Sequence, residues 1–206
     1  MIAYTEKLSW YVARSSGLVA WALVTASVLW GLALSSRLSR RRGVPAWLLA
    51  LHRYLGTLSI VFVAVHLLAL VADNYVPYGW KDLFVPMATK WRPGATAWGI
   101  AGFYLLAAVQ ITSWMMRWLP RRVWHAVHLS SLGLFVAGTV HGFQAGADMS
   151  NRLIVWSGMV CIVLVVTLVV FRVAHRGQRP GHRSAARIAA NRQADAPPRV
   201  GARSAG

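Results

Sequence analysis

Acidic side chains are scarce in this chain. Five Asp and Glu stand against 22 Lys and Arg, and none of the five lies inside a long apolar run. That argues against a carboxylate relay within a membrane and against paired carboxylates doing acid–base hydrolysis. Cysteine is nearly absent. The single Cys161 sits in an apolar run and allows no intrachain disulfide, no C-x-x-C-H haem attachment and no thiolate zinc site. There is no G-x-G-x-x-G fingerprint, and the stretch after the last apolar run is too short for a flavin or nicotinamide domain. No arrangement of serine, cysteine and histidine suggests a hydrolytic nucleophile.

What is present is apolar. Hydrophobic residues make up 57% of the chain, too many for an ordinary soluble domain. Eleven Trp and six Tyr gather near the ends of apolar runs, where membrane proteins carry aromatic belts. Five runs have the roughly twenty residues a membrane span requires: Ser15 to Leu34, Trp47 to Ala72, Pro93 to Met116, Val123 to Ala147 and Leu153 to Phe171. The N-terminal segment has few basic residues, and its apolar stretch is long, so it reads as a retained span rather than a cleaved leader. The expected fold is all-α: a bundle of five transmembrane helices over residues 15–172, preceded by a segment 1–14 and followed by a tail 173–206.

The net charge of +17 is unevenly spread. Arg37, Arg40, Arg41 and Arg42 crowd the first connection, Arg117, Arg121 and Arg122 the third, and the tail is rich in arginine. The second connection offsets Lys81, Lys90 and Arg92 with Asp73 and Asp82, and the fourth has Arg152 and Asp148. Under the positive-inside rule this puts the N-terminus outside and the C-terminus in the cytoplasm. The charge is explained by topology and by contact with anionic lipid, and nucleic acid is excluded as a partner. The tail lacks the apolar content to fold alone and is expected to be disordered. The connection 73–92, mixing Trp80, Phe84 and Trp91 with two prolines, is expected to lie in the outer interface or to act as a lid.

Ionisable residues within spans are rare and usually functional. Here four deep histidines fall on two spans. His52 and His66 are fourteen residues apart, and His128 and His141 thirteen, which at 1.5 Å per residue is about 20 Å in each case. Both spans start from the arginine-rich side, so His52 and His128 share one level and His66 and His141 another. Two levels with one imidazole from each of two helices suit two haems with bis-histidine axial ligation. Arg53, Arg121 and Arg122 lie at the level of the first pair, where haem propionates would meet cations. Gly56, Gly133, Gly138 and Gly142 stand near the histidines in sequence and leave room for a flat macrocycle or for close helix packing.

The angles agree only in part. At about 100° per residue, His66 returns to within about 40° of His52, but His141 lands about 140° from His128. A tilt, a helix crossing or a distortion near Gly133 and Gly138 is needed, and His125, one turn before His128, stands as the alternative ligand. His175 and His182 read as solvated.

The segments LHRYLGTLSIVFVAVH and HLSSLGLFVAGTVH, a His-x13-His helix followed one span later by a His-x12-His helix, resemble the ferric reductase-like transmembrane domain. That superfamily includes NADPH oxidases, ferric reductases and the haem subunit of a bacterial periplasmic methionine sulfoxide reductase. The resemblance covers spans two to four. It implies b-type haem, two per chain, with an inner haem on His52 and His128 and an outer haem on His66 and His141. It implies electron transport across a bacterial inner membrane as the membrane subunit of an oxidoreductase. The donor would be a separate cytoplasmic flavin reductase or a quinol, and the acceptor an extracytoplasmic protein or ferric iron. The chain departs from the family in having five clear spans and no flavin and nicotinamide domain of its own. A single-haem anchor subunit and a haem-free structural or transport protein are the alternatives. The latter has little to build on, since only Gln110, Gln144 and scattered Ser and Thr add polarity to the spans.

Overall fold

The computed structural model describes residues 2–35, 46–73, 76, 78–146 and 151–174. They form seven helices, with no strand among the described residues: α1 (Ile2–Ser35), α2 (Ala46–Val71), α3 (Trp80–Phe84), α4 (Pro93–Trp114), α5 (Arg121–Leu129), α6 (Ser131–Ala145) and α7 (Arg152–Ala174). Five stretches are long and apolar enough to cross a membrane: Leu8–Ser35, Ala46–Val71, Pro93–Trp114, Arg121–Ala145 and Arg152–Ala174. This matches the five spans expected from the sequence. The first connection with its four arginines and the chain beyond Ala174, with His175 and His182, lie outside the described residues.

Two differences from the sequence reading matter. First, α1 does not begin at Ser15. It continues back to Ile2, so residues 2–14, expected as a separate segment, are helical and continuous with the span. Second, the fourth span is not one helix. It is divided at Ser130 into α5 and α6.

The chain divides into two units, Met1–Val169 and Val170–Gly206. In the first, α1 pairs with α2, α4 with α6, and α1 with α6. Its core joins Val24, Val28 and Leu32 of α1 to Leu106 of α4, Leu134 and Phe135 of α6 and Val165 of α7. Lipid is as apolar as these side chains, so burial alone does not hold the helices together; close packing and interhelical hydrogen bonds do. Gly102 of α4 lies against α6 so closely that a Cβ there would stand 3.7 Å from the Gly138 backbone nitrogen. Trp21 Nε1 donates to Thr139 Oγ1 at 3.0 Å, and Thr139 in turn donates to the Phe135 carbonyl within α6. Trp30 Nε1 donates to the Leu48 carbonyl of α2 at 3.2 Å. The second unit contributes only residues 170–174, the end of α7, to the described structure.

Residues 78–92 are folded back along the first half of α4. Leu83 and Tyr78 are buried, Phe84 meets Phe103 edge to face at 5.6 Å, and Tyr104 Oη donates to the Phe84 carbonyl at 2.7 Å. Two turns in this connection use left-handed backbone at non-glycine residues, Met87 (φ 65°) and Arg92 (φ 41°). Arg92 precedes Pro93, which opens α4 in the first-turn position proline favours. The Arg92 guanidinium donates to the Gln144 carbonyl at 2.6 Å and so ties this connection to the end of α6.

Candidate functional site

The four histidines meet in two pairs, as the spacing predicts. His52 of α2 faces His128 of α5, with ring centroids 6.0 Å apart and planes at 73°. His66 of α2 faces His141 of α6 at 6.4 Å and 79°. The first pair lies toward the ends of the helices that carry Arg53, Arg117, Arg121 and Arg122, and the second toward the opposite ends, near the start of α4 at Ala95. They are called here the arginine-side pair and the far pair.

The break at Ser130 helps one span present both of its histidines. The Ser130 N–H reaches back three residues to the Val127 carbonyl at 3.0 Å, and its hydroxyl donates to the same carbonyl at 2.6 Å. A three-residue turn advances about 120° per residue instead of about 100°. Thirteen ordinary steps fall about 140° short of four full turns, so local overwinding moves His141 in the direction that closes the gap. The distortion expected near Gly133 and Gly138 thus sits at a serine, and those glycines meet Leu105 and Trp21 rather than histidine. Likewise Gly56 faces Gln110, and Gly142 has nothing within 4 Å.

Three other glycines, unremarked in the sequence reading, do face the imidazoles. A Cβ at Gly17 would stand 3.0 Å from His66 Nδ1, one at Gly99 2.8 Å from His141 Nδ1 and Cε1, and one at Gly31 3.2 Å from His52 Cε1. Each glycine follows, by one helical turn, the residue that holds the ring. His66 Nδ1 lies 2.7 Å from the Ala13 carbonyl, His141 Nδ1 2.8 Å from the Ala95 carbonyl, and His52 Nδ1 3.3 Å from Ser27 Oγ. The same small-x3-Gly turn is therefore used three times, in ARSSG, ATAWG and SVLWG. The glycine makes room for the ring, and the residue four positions earlier receives its Nδ1–H. A signal existed in the sequence: Gly17 and Gly31 are fourteen residues apart, the same step as His52 to His66 on the antiparallel neighbour.

A carbonyl can only accept, so His66 and His141 carry their proton on Nδ1 and leave Nε2 as a lone-pair donor. That is the form in which imidazole binds a metal while its other nitrogen is held by an outer partner. His128 differs. Its Nδ1 is buried with no hydrogen-bond partner among the described residues, and its ring stacks on Trp124 at 4.9 Å and 21°. His125 is not part of either pair. It is exposed and lines an open cavity of about 690 Å³ with Met116, Arg117, Leu119, Arg121 and Trp124. Arg53, Arg121 and Arg122 are exposed at the arginine-side end.

Among the described residues no group of three or more His, Cys, Asp or Glu converges on a point. Each level offers two imidazoles and no third ligand. A group bound there must bring its own in-plane donors, as a porphyrin does. The spacing fits such a group. A metal–imidazole bond of about 2 Å on either side, with roughly 1 Å from ring nitrogen to ring centre, places centroids about 6 Å apart.

A comparison with family models matches the ferric reductase like transmembrane component over residues 16–139. The match covers more than half of the chain and takes in Gly17, Gly31, His52, His66, Gly99 and His128, stopping two residues before His141. No curated protein and no solved structure matches the chain.

Proposed function

This chain belongs to the ferric reductase-like transmembrane component family, and from that premise we propose that it carries electrons across the membrane through two b-type haems. Family membership and the five spans support the coarser statement, a multi-pass membrane component of electron transfer. The observation that carries the finer one is the pair of facing imidazoles, repeated at two levels with centroids 6.0 and 6.4 Å apart.

His52 and His128 would hold one haem and His66 and His141 the other, and when bound these groups supply reversible one-electron chemistry at iron. The protein's own part is to fix the ligands and the surroundings. Ala13 and Ala95 hold two imidazoles in the tautomer that exposes Nε2. Gly17, Gly31 and Gly99 let the rings seat against the neighbouring helices. Val24, Val28, Leu32, Leu106 and Phe135 fill the space among the helices with apolar side chains. Arg53, Arg121 and Arg122 stand where the propionates of the arginine-side haem would want cations. Lys81 and Lys90 are available at the far end, whereas Arg92 is already committed to the Gln144 carbonyl.

By the charge of its connections, the arginine side faces the cytoplasm of a bacterial cell, with the connection 73–92 outside. The chain shows no flavin or nicotinamide fingerprint. In this reading its donor is a separate flavin reductase or a quinol, and its acceptor an extracytoplasmic protein or ferric iron. The test is a dithionite-reduced minus oxidised spectrum of the gently extracted protein together with haem quantitation. A b-type spectrum with two haems per chain is expected. Protein that purifies without haem would sink the reading.

A further inference from the structure

Three of the four facing histidines are held from behind by hydrogen bonds. His66 Nδ1 meets the Ala13 carbonyl, His141 Nδ1 meets the Ala95 carbonyl, and His52 is bonded to Ser27. His128 is the exception. Its Nδ1 is buried with no partner among the described residues, and its ring rests on the Trp124 indole at 4.9 Å and 21°. Trp124 Nε1 is unpartnered as well, so no hydrogen bond from its side chain fixes the indole. The helix that carries both rings is short. α5 runs from Arg121 to Leu129, buries none of its residues and is set apart from α6 at Ser130.

What lies on the other side of α5 therefore matters for His128. At about 100° per residue, Arg121, Arg122 and His125 share one face of α5, and Val123, Trp124 and Val127 the opposite one. A helix patterned in this way suits the membrane surface. Beside it opens the cavity of about 690 Å³ lined by Met116, Arg117, Leu119, Arg121, Trp124 and His125. Two guanidiniums with no carboxylate among the lining residues call for an anion. Met116, Leu119 and the indole call for hydrocarbon. A phospholipid with an anionic headgroup meets both demands, and a soluble anion meets only the first. The positive-inside rule turns this cavity toward the cytoplasmic leaflet, where anionic lipid is abundant.

We propose that an anionic phospholipid binds in this cavity and, through the Trp124 ring, holds His128 in its place opposite His52. Trp124 is the link, since it both lines the cavity and stacks on His128. The lipid does for His128 what the backbone carbonyls do for His66 and His141. The lipid site itself stands on the cavity and on α5. Its consequence, firmer retention of the arginine-side haem in anionic lipid, rests on the haem reading above. The far pair, held by Ala13 and Ala95, should be indifferent to the lipid.

The experiment places the purified haem-loaded protein in nanodiscs of phosphatidylcholine, with and without phosphatidylglycerol, for the wild type, Arg117→Gln and Lys81→Gln. Arg117 is substituted because Arg121 also stands at the level of the propionates. The first measurement is the rate at which excess apomyoglobin removes haem, resolved into two phases. Phosphatidylglycerol should slow about fivefold the phase that is missing in His128→Ala, and leave the other unchanged. Arg117→Gln should lose most of that slowing. Lys81→Gln, an equal change of charge at the far end, should keep it. Inorganic phosphate added to phosphatidylcholine discs should not replace the lipid. The second measurement is the electron paramagnetic resonance spectrum of spin-labelled phosphatidylglycerol, in which Arg117→Gln should immobilise about one lipid fewer per chain than the wild type. Haem loss indifferent to phosphatidylglycerol, slowing restored by phosphate alone, or an undiminished lipid count in Arg117→Gln would each overturn the proposal while leaving two haems in place. Protein that purifies without haem would remove the haem reading instead, and the spin-label count would still decide the lipid site.

Discussion

Gly99 stands so close to His141 that a methyl group at its Cα would lie 2.8 Å from both Nδ1 and Cε1 of the ring. Real side chains do not tolerate that distance, and the obstructing atoms belong to a ring whose Nδ1 is already fixed to the Ala95 carbonyl. Gly99→Ala should therefore displace His141 and lose the far haem. Gly17→Ala should do the same more mildly, because its Cβ would meet His66 at 3.0 Å. Gly142→Ala meets nothing within 4 Å and should retain both haems, gaining about 0.5–1 kcal/mol of helix stability. Haem per chain in the three purified variants is the measurement. Equal loss from Gly142→Ala and Gly99→Ala would mean that the glycines serve helix packing and not the rings.

His125 and His128 make opposite predictions although they are one turn apart. His128 faces His52 across 6.0 Å, whereas His125 is exposed on the cavity beside Arg121. His125→Ala should leave the b-type spectrum and the haem content unchanged. His128→Ala should remove about half of the haem and one component of the α-band. Loss of haem from His125→Ala with retention in His128→Ala would exchange their roles.

The spans and the pairing of histidines were readable in the sequence because each rests on a long-range regularity. Twenty apolar residues in a row and a repeated thirteen- or fourteen-residue step survive small local errors. What could not be read depends on single contacts between distant segments. Ser130 looks like any helical serine, and only its bond back to Val127 shows where the fourth span is overwound. Glycine invited notice near the histidines in sequence, yet the glycines that touch the rings lie on the facing helices, at Gly17, Gly31 and Gly99. The left-handed turns at Met87 and Arg92 gave no signal because neither residue is glycine or asparagine.

Trp21 and Thr139 join α1 to α6, Thr139 standing two residues before His141. The indole donates at 3.0 Å, and Thr139 is buried. Interhelical hydrogen bonds in membranes average about 0.6 kcal/mol, reaching about 1.7 kcal/mol. Trp21→Phe keeps most of the apolar surface and removes the donor, so it should cost about 1 kcal/mol and lower Tm by a few degrees in detergent. Thr139→Val should cost about the same, and the double variant should cost clearly less than the sum of the two. A strictly additive double variant would show that the bond contributes nothing to holding these helices together.

Tyr78 offers a test of the connection 73–92 by pH. It lies outside the spans, is buried, packs edge-on to Trp91 at 6.3 Å, and its hydroxyl is hydrogen-bonded to Thr96. Burial pushes its phenol above the ordinary value of about 10. The bond to Thr96 opposes the shift, and the nearby Asp82 and Asp73 add to it. The folded connection thus holds the phenol proton more tightly than an open one does. Its contribution to stability is complete below about pH 10 and fades as the pH rises toward the folded value. Alkaline solution should accordingly open this connection while the spans stay helical. Hydrogen exchange at residues 78–92 should rise above about pH 10, together with tyrosinate absorbance in the ultraviolet. Tyr78→Phe keeps the ring and removes the titrating group, so its exchange over 78–92 should respond much less to pH in that range. A wild type and a Tyr78→Phe variant with the same alkaline profile would show that the phenol does not govern the opening.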